Sequence, residues 1–246
     1  MNNDIGIIYI ATGEKFLKMA AMSAKSLKAH CPNLPTHIFS DCDATSYDCF
    51  NSSTKISDPH QRSKVDHIFK TPYQRTLYLD ADTRVCEDIT SVFELLDRYD
   101  IALAHDAGRG RKRQKELYVG NSRFLPVNGG VILFKKTDPV VEFLKSWKKA
   151  YHEEGRKGDQ FSLRGLLWLS DLRLLILPPE YNWKSLRYLN YLKSYGITPK
   201  ILHLDDFKHE EGIFATDSLS MRKKIKHIIK YKIMPVIRRR FLGSSY

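Results

Sequence analysis

Two aspartates one residue apart close an apolar run in RTLYLDADTRV, residues 75–85. Leu77, Tyr78 and Leu79 read as a buried strand. Asp80 and Asp82 then fall just past its carboxyl end, where α/β proteins place ligands. Side chains at i and i+2 of an extended chain point the same way. The pair can therefore hold one hard cation, or one carboxylate can attack while the other handles a proton. Three more stretches carry chemistry-bearing residues where strands end or helices begin: Asn128-Gly129-Gly130, Gly158-Asp159-Gln160, and His203 in ILHLDD. Each has a plain structural reading. The D-x-D can be a solvated strand end, NGG a turn that needs positive φ, Asp159 a helix cap, and His203 a satisfied imidazole. Together they say more, because two carboxylates and an imidazole form an O,O,N set suited to manganese, with positions left for phosphate oxygens. Glycines at 129 and 130 let a ligand approach the main chain without side-chain obstruction.

The elements that must position these residues follow from the hydrophobic pattern. IGIIYIA (5–11) is a near-continuous apolar strand of the kind buried on both faces of a parallel sheet. Glu14 to His30 follows as a helix with Phe16, Ala20, Ala24 and Leu27 on one face, stopped by Cys31-Pro32. THIFS (36–40) is a second strand, 41–53 a polar loop, and Gln61 to Phe69 a short helix. After the strand before Asp80 come a helix over Thr90 to Leu96, the strand IALAH (101–105) and the strand VILF (131–134). The second half continues with a helix from Asp138 to Tyr151, a helical GDQFSLRGLLWL, the strand LLIL and the strand ILHL. This alternation predicts a Rossmann-like α/β domain with a mostly parallel, doubly wound sheet over residues 1–215, followed by a separate segment, 216–246.

A chain of 246 residues with 42% hydrophobic and 28% charged residues suits one globular domain with a sizeable core. The sequence shows neither a signal-peptide pattern nor an apolar run of membrane-spanning length, which predicts a cytoplasmic protein. Cys31, Cys42, Cys49 and Cys86 form no C-x-x-C pair, so free thiols are expected, with a Cys42–Cys49 disulfide as the alternative. The net charge of +12 suggests nucleic acid until it is located. Arg222, Lys223, Lys224, Lys226, Lys230, Lys232 and Arg238 to Arg240 follow the last acidic residue, Asp217, and account for most of it. The charge belongs to the tail, not to the domain.

Taken in order, YIATGEKF, Lys64 before the D-x-D, LYLDADT, VNGGVILF, GDQFSL, PEYNW and a late strand ending in His203 resemble one known family. It is the GT-A fold glycosyltransferases of the glycogenin and bacterial lipopolysaccharide galactosyltransferase type, over most of residues 5–205. The resemblance implies that Asp80, Asp82 and His203 bind Mn2+ (or Mg2+), which bridges the diphosphate of a nucleotide-diphosphate sugar, and that Asp80 also touches the ribose. It places Ile10, Thr12, Gly13 and Phe16 around the nucleobase, with Phe16 where the family usually has a stacking tyrosine. Lys64 would contact the donor's phosphate or sugar. Asp106, Asn128, Gly129, Asp159 and Gln160 would hold the transferred sugar, with a glycan or lipid-linked acceptor beside it. In one respect the chain departs from the family, which follows its metal histidine with a glycine three residues on and a Lys-Pro pair starting six residues on. Here those positions are Asp206 and His209, so the pyrophosphate contact falls to Arg187, Lys193 or Lys208.

Two other readings compete. LDADT also fits the nucleophile motif of haloacid dehalogenase-like phosphatases, with Asp80 attacking phosphorus, Asp82 as acid/base and Asp205-Asp206 helping to bind magnesium. That motif normally ends the first core strand, whereas here at least two strands and a helix precede it, and NGG and GDQ go unexplained. A basic nucleic-acid-binding protein would use the tail together with Arg109, Arg111, Lys112, Arg113 and Lys115. No nucleic-acid module signature supports it.

In the tail, Met221, Ile225, Ile228, Ile229 and Ile233 recur at helical spacing with lysines around the rest of the circumference, and Pro235 ends or kinks the helix. Packing of the isoleucines on the domain is the plain reading. A basic amphipathic helix lying on an anionic membrane is the functional one, at up to about 1 kcal/mol per basic residue. The intact chain is expected to sediment with anionic liposomes at low salt and to be released at high salt. A chain ended after Thr216 should lose that binding. Failure of the intact chain to bind at low salt would make the tail a packing or partner-binding element.

Overall fold

The structure, a computed structural model, describes residues 4–106, 119–121, 123–154, 158–184 and 196–204. The tail over 216–246, the basic loop at 109–115, Asp205-Asp206 and the lysine and arginine candidates at 187, 193 and 208 lie outside the described residues. Nine strands and four α-helices are described in the order β1 (Ile5–Ala11), α1 (Glu14–His30), β2 (Thr36–Ser40), β3 (Ser52–Lys55), α2 (Lys64–His67), β4 (Arg75–Leu79), β5 (Thr83–Val85), β6 (Ile101–His105), β7 (Val127–Lys135), α3 (Asp138–Glu154), α4 (Gln160–Leu169), β8 (Leu174–Ile176) and β9 (Ile201–His203). Seven strands form one sheet in the order β3-β2-β1-β4-β7-β6-β8. All its pairings are parallel except those of β7, which runs antiparallel to both β4 and β6. The sheet is thus mostly parallel, and the Rossmann-like α/β expectation holds.

Strand periodicity sorts the core onto two faces. Ile7 and Tyr9 of β1 and Leu77 and Leu79 of β4 pack with Leu17, Ala20, Ala24 and Leu27 of α1. Ile8 and Tyr78 point the other way, to Ile132, Val140, Leu144, Trp147 and Leu163 under α3 and α4. The Trp147 indole N–H donates to the Asp159 carbonyl at 2.9 Å, so α3 anchors the start of α4. All four cysteines are free. No helix among the described residues is long and apolar enough to cross a membrane.

Five local features differ from the sequence reading. The polar stretch before Ser57 contains β3, an exposed edge strand whose sequence, SSTK, carries no hydrophobic alternation. The helix expected over 61–69 shortens to α2 and a 3₁₀ turn at Ile68–Lys70. Upstream of it, the His60 N–H donates to Ser63 Oγ and Ser63 Oγ donates back to the His60 carbonyl, both at 2.8 Å, which holds a turn there. The stretch over Thr90–Asp97 is 3₁₀ rather than α. NGG is no turn, since Asn128, Gly129 and Gly130 lie inside β7 and neither glycine is among the positive-φ residues. A strand absent from the sequence reading, β5, pairs antiparallel with β9 and sets Thr83 opposite His203.

A cluster on the α3 side fixes α2 in place. Asp66 takes His60 Nε2 on one oxygen, and on the other His152 Nε2 at 3.0 Å and Lys148 Nζ at 3.1 Å. The Arg62 N–H donates to His60 Nδ1 at 3.2 Å, which places the imidazole proton on Nε2, facing the carboxylate. That tautomer and the shared lysine make the cluster an ion network rather than a metal site. Burial raises the Asp66 pKa, but His60, His152 and Lys148 outweigh it and bring the carboxyl from 3.8 to about 2. For a carboxylate depressed on folding, the stabilisation is complete above the unfolded value and is lost as pH falls through the folded one. Asp66→Asn is therefore expected to be less stable than the wild type near neutral pH. The two should converge in urea titrations as pH falls from about 4 to about 2. A constant stability gap down to the acid end would contradict this.

Candidate functional site

Asp80 leaves the end of β4, its N–H donating to the Gly130 carbonyl at 2.8 Å. Tyr78, two residues back on the same face, donates its hydroxyl to Asp80 Oδ1. Burial first, and then the Asp80 charge, push the Tyr78 phenol well above its ordinary range, so it remains a donor. Asp82 sits one residue before β5, and the β5–β9 pairing carries His203 to it. His203 Nε2 lies 3.1 Å from Asp82 Oδ1 and 3.8 Å from Asp80 Oδ2. His203 Nδ1 lies 2.8 Å from Asn182 Oδ1, an oxygen that can only accept. Nδ1 therefore carries a proton, which leaves Nε2, the nitrogen facing the carboxylates, as the one able to ligate a metal. One ligand atom from each of Asp80, Asp82 and His203 lies within 4.8 Å of the others. Two carboxylate oxygens and an imidazole nitrogen oriented by an amide form a donor set that fits manganese or magnesium.

Lys64 joins this trio to the rest of the site. Its Nζ lies 2.9 Å from Asp159 Oδ2 and 3.5 Å from Asp80 Oδ1, and donates to the Gly129 carbonyl at 2.9 Å. The side chain is 6% exposed, so burial opposes its charge, yet Asp159 and Asp80 outweigh burial and raise its pKa. Asp159 is buried as well, and Lys64, assisted by Arg62 at 3.6 Å, holds its carboxyl below the ordinary value. Although Asp159 precedes α4, its side chain makes no capping hydrogen bond to the helix. It is turned inward to the lysine, and the helix-cap reading fails.

Gly130 has a different task from the one its sequence suggested. A Cβ there would lie 2.2 Å from His203 Cε1 and 2.6 Å from Asp80 Oδ2, so the missing side chain makes room for the proposed metal ligands. At Gly129 a Cβ would be in ordinary contact with Lys64 Nζ and Asp159 Oδ2, both at 3.4 Å. Asn128 accepts from the Gly130 N–H at 2.9 Å, and its buried Nδ2 has no hydrogen-bond partner among the described residues.

The remaining sequence candidates line the same edge of the sheet. Ile8 pairs with Tyr78, so Ile10 on β1 comes level with Asp80. Gly13 takes φ 82°, which favours glycine, and its N–H donates to Asp41 Oδ1 at 2.7 Å. Thr12 donates to the His60 carbonyl at 3.3 Å. Phe16, on the first turn of α1, is 41% exposed. The Asp106 N–H donates to the Pro126 carbonyl at 2.9 Å and Gln160 directly follows Asp159, and among the described residues neither side chain is hydrogen-bonded to the cluster. Four participants escaped the sequence reading: Asp41, Tyr78, Arg62 and Asn182. Asp41 stands just past β2, where the strand-end argument applied to Asp80 would have found it. Asn182 lies in the PEYNW stretch that had been singled out as a whole.

A family model described as nucleotide-diphospho-sugar transferase matches residues 62–212, a span that holds every one of these positions from Arg62 to His203. No curated protein matches the sequence. Among solved structures, the galactosyltransferase LgtC, in complex with donor and acceptor sugar analogs, is 13% identical with a TM-score of 0.60, covering 92% of this chain and 95% of its own. The glycosyltransferase GlyE of Streptococcus pneumoniae TIGR4 is 20% identical with a TM-score of 0.57, covering 81% of this chain and 55% of its own. The chain thus spans about half of GlyE. Mouse xyloside xylosyltransferase 1, in its apo form, is 13% identical with a TM-score of 0.55, covering 81% of this chain and 97% of its own. At these identities the likeness is one of fold.

The Gly130 contacts lead to a direct test. Gly130→Ala forces His203 or Asp80 out of place and is expected to cost roughly 1–3 kcal/mol as overpacking. Calorimetry should show markedly weaker Mn2+ binding in the presence of a nucleoside diphosphate. Unchanged metal affinity in a folded Gly130→Ala protein would show that the metal does not sit between these residues.

Proposed function

The chain belongs to the nucleotide-diphospho-sugar transferase family, and from that membership we propose that it is a metal-dependent glycosyltransferase that moves a hexose from a UDP-sugar to a glycan or lipid-linked acceptor with retention of configuration. The observation that carries this reading is the convergence of Asp80, Asp82 and His203 Nε2 beside the Lys64–Asp159 pair. Asp80, Asp82 and His203 would hold Mn2+ or Mg2+. When bound, the ion neutralises negative charge on the departing diphosphate without needing a proton.

The chain's own residues do the rest. Ile10, Thr12, Gly13 and Phe16 receive the nucleobase at the end of β1, with Asp41 bracing Gly13 from below. Asp80 accepts from the ribose. Lys64, charged and fixed by two carboxylates, adds positive potential at the junction of phosphate and sugar. Asp159, held as a carboxylate, accepts from sugar hydroxyls, while Asn128 Nδ2 offers a donor and Asp106 and Gln160 close the pocket. Among the described residues no side chain stands as a free general base. The acceptor hydroxyl attacks the anomeric carbon on the face the diphosphate leaves. As the carbon–oxygen bond to phosphate breaks, the hydroxyl proton passes to the leaving phosphate oxygen. Attack by Gln160 or Asp159 is less favourable, because an amide is a poor nucleophile and the Asp159 charge is engaged by Lys64. The basic tail would bring the enzyme to lipid-linked acceptors at the cytoplasmic face of an anionic membrane.

A screen of nucleotide sugars with Mn2+, scored for hydrolysis or transfer and reversed by chelator, tests the reading. Asp82→Asn is expected nearly to abolish turnover. Asn182→Ala should raise the manganese demand by roughly 10- to 100-fold, the range for outer partners of metal-bound histidines. Chelator-resistant turnover, or an unchanged manganese demand in both variants, would remove the metal from the reading.

A further inference from the structure

The segment that leads into β7 at Val127 is described over 119–121 and 123–126, and one side chain of α4 grips it. Arg164 is 1% exposed. Its Nε donates to the Phe124 carbonyl at 2.8 Å, Nη1 to the Val119 carbonyl at 2.7 Å and Nη2 to the Asn121 carbonyl at 2.7 Å. The guanidinium also lies over the Phe124 ring, 5.3 Å from its centroid. The three carbonyls are met by three separate nitrogens of a planar fork, a spread that the single nitrogen of a lysine does not reproduce. A second contact seats the loop from outside. Gly120 has φ 77° and lies so close to Trp168 that a Cβ would fall 1.9 Å from the indole Nε1, while the Phe124 and Trp168 rings sit 5.8 Å apart.

The two ends of this grip lead to the two halves of the sugar pocket. Two residues past Phe124, the Pro126 carbonyl accepts from the Asp106 N–H at 2.9 Å, and Asn128 follows two residues later. In the other direction, Arg164 stands four residues after Gln160, about 6 Å along the helix. We infer that Arg164 is a positioning residue for transfer, locking Asp106 and Asn128, through the described residues 119–121 and 123–126, against the Asp159–Gln160 end of α4. This rests on the glycosyltransferase reading above and adds to it how the sugar half of the pocket is held. The nucleotide half, on β1 and β4, is independent of the grip. A buried guanidinium is costly to desolvate, and an apolar contact would suffice to tether a loop. A fork on three carbonyls adds a fixed register.

The test uses the full chain with three substitutions: Arg164→Met, Arg164→Lys and Gly120→Ala. The last unseats the loop from its outer side and leaves the buried arginine intact, so it decides the matter if the arginine variants fail to fold. The readouts are kcat and KM for hydrolysis of a nucleotide sugar that the wild type turns over with Mn2+, calorimetric affinity for UDP with Mn2+, and amide hydrogen exchange across 119–124. All three variants are expected to exchange faster in the loop and to lose kcat by roughly 10- to 100-fold, the scale of a displacement of about 1 Å. UDP affinity should be unchanged, and lysine should not rescue. A freed loop with unchanged kcat would overturn the inference, as would a parallel fall in kcat and UDP affinity. A wild type that splits no nucleotide sugar would instead overturn the glycosyltransferase reading, and this inference with it.

Discussion

The buried Lys64 ammonium is the interaction on which the rest of the site depends. It meets Asp80 from the end of β4, the Gly129 carbonyl from β7 and Asp159 from the start of α4, so three separate elements converge on one charge. Removing one partner of such a buried pair typically costs about 3–5 kcal/mol, because the other charge is left uncompensated. The supports around it are correspondingly firm. Asp66 holds α2 to α3 through His60, His152 and Lys148, and Trp147 of α3 holds the Asp159 carbonyl. The lysine is thus fixed from behind as well as in front.

Strand direction explains why these particular residues meet. In a wholly parallel sheet every strand would present its carboxyl end at the ligand edge. Here β7 runs antiparallel between β4 and β6, so its amino-terminal residues, Asn128 to Gly130, arrive at the same edge as Asp80. The small β5–β9 sheet completes the arrangement by carrying His203 back across the opening to Asp82. Space decides the final contact, since only glycine at 130 lets the imidazole and the Asp80 carboxylate close on the strand.

Much of this was legible in the sequence. The apolar runs at 5–11, 75–79 and 101–105 announced buried strands because both of their faces are covered. The D-x-D at a strand end announced a charged site. What stayed hidden depends on pairing or on space. β3 carries no apolar alternation and β5 is only three residues long, so neither shows a period. NGG looked like a turn because glycine signals permissive backbone, yet Gly130 is required for close approach within an extended strand. Asp159 looked like a cap because it precedes a helix, and only the lysine arriving from α2 shows why it turns inward. Asn182 and Arg164 likewise act on partners far away in sequence, His203 and residues 119–124.

The central claim is that Asp80, Asp82 and His203 Nε2 hold one divalent cation against a nucleoside diphosphate. Anomalous diffraction at the manganese edge, from crystals of the full chain grown with UDP and Mn2+, tests it most directly. The account predicts a single anomalous peak bonded to both carboxylates and to His203 Nε2, with diphosphate oxygens completing its coordination. Bound UDP with no peak there, or a peak that omits His203 and the two aspartates, would contradict it.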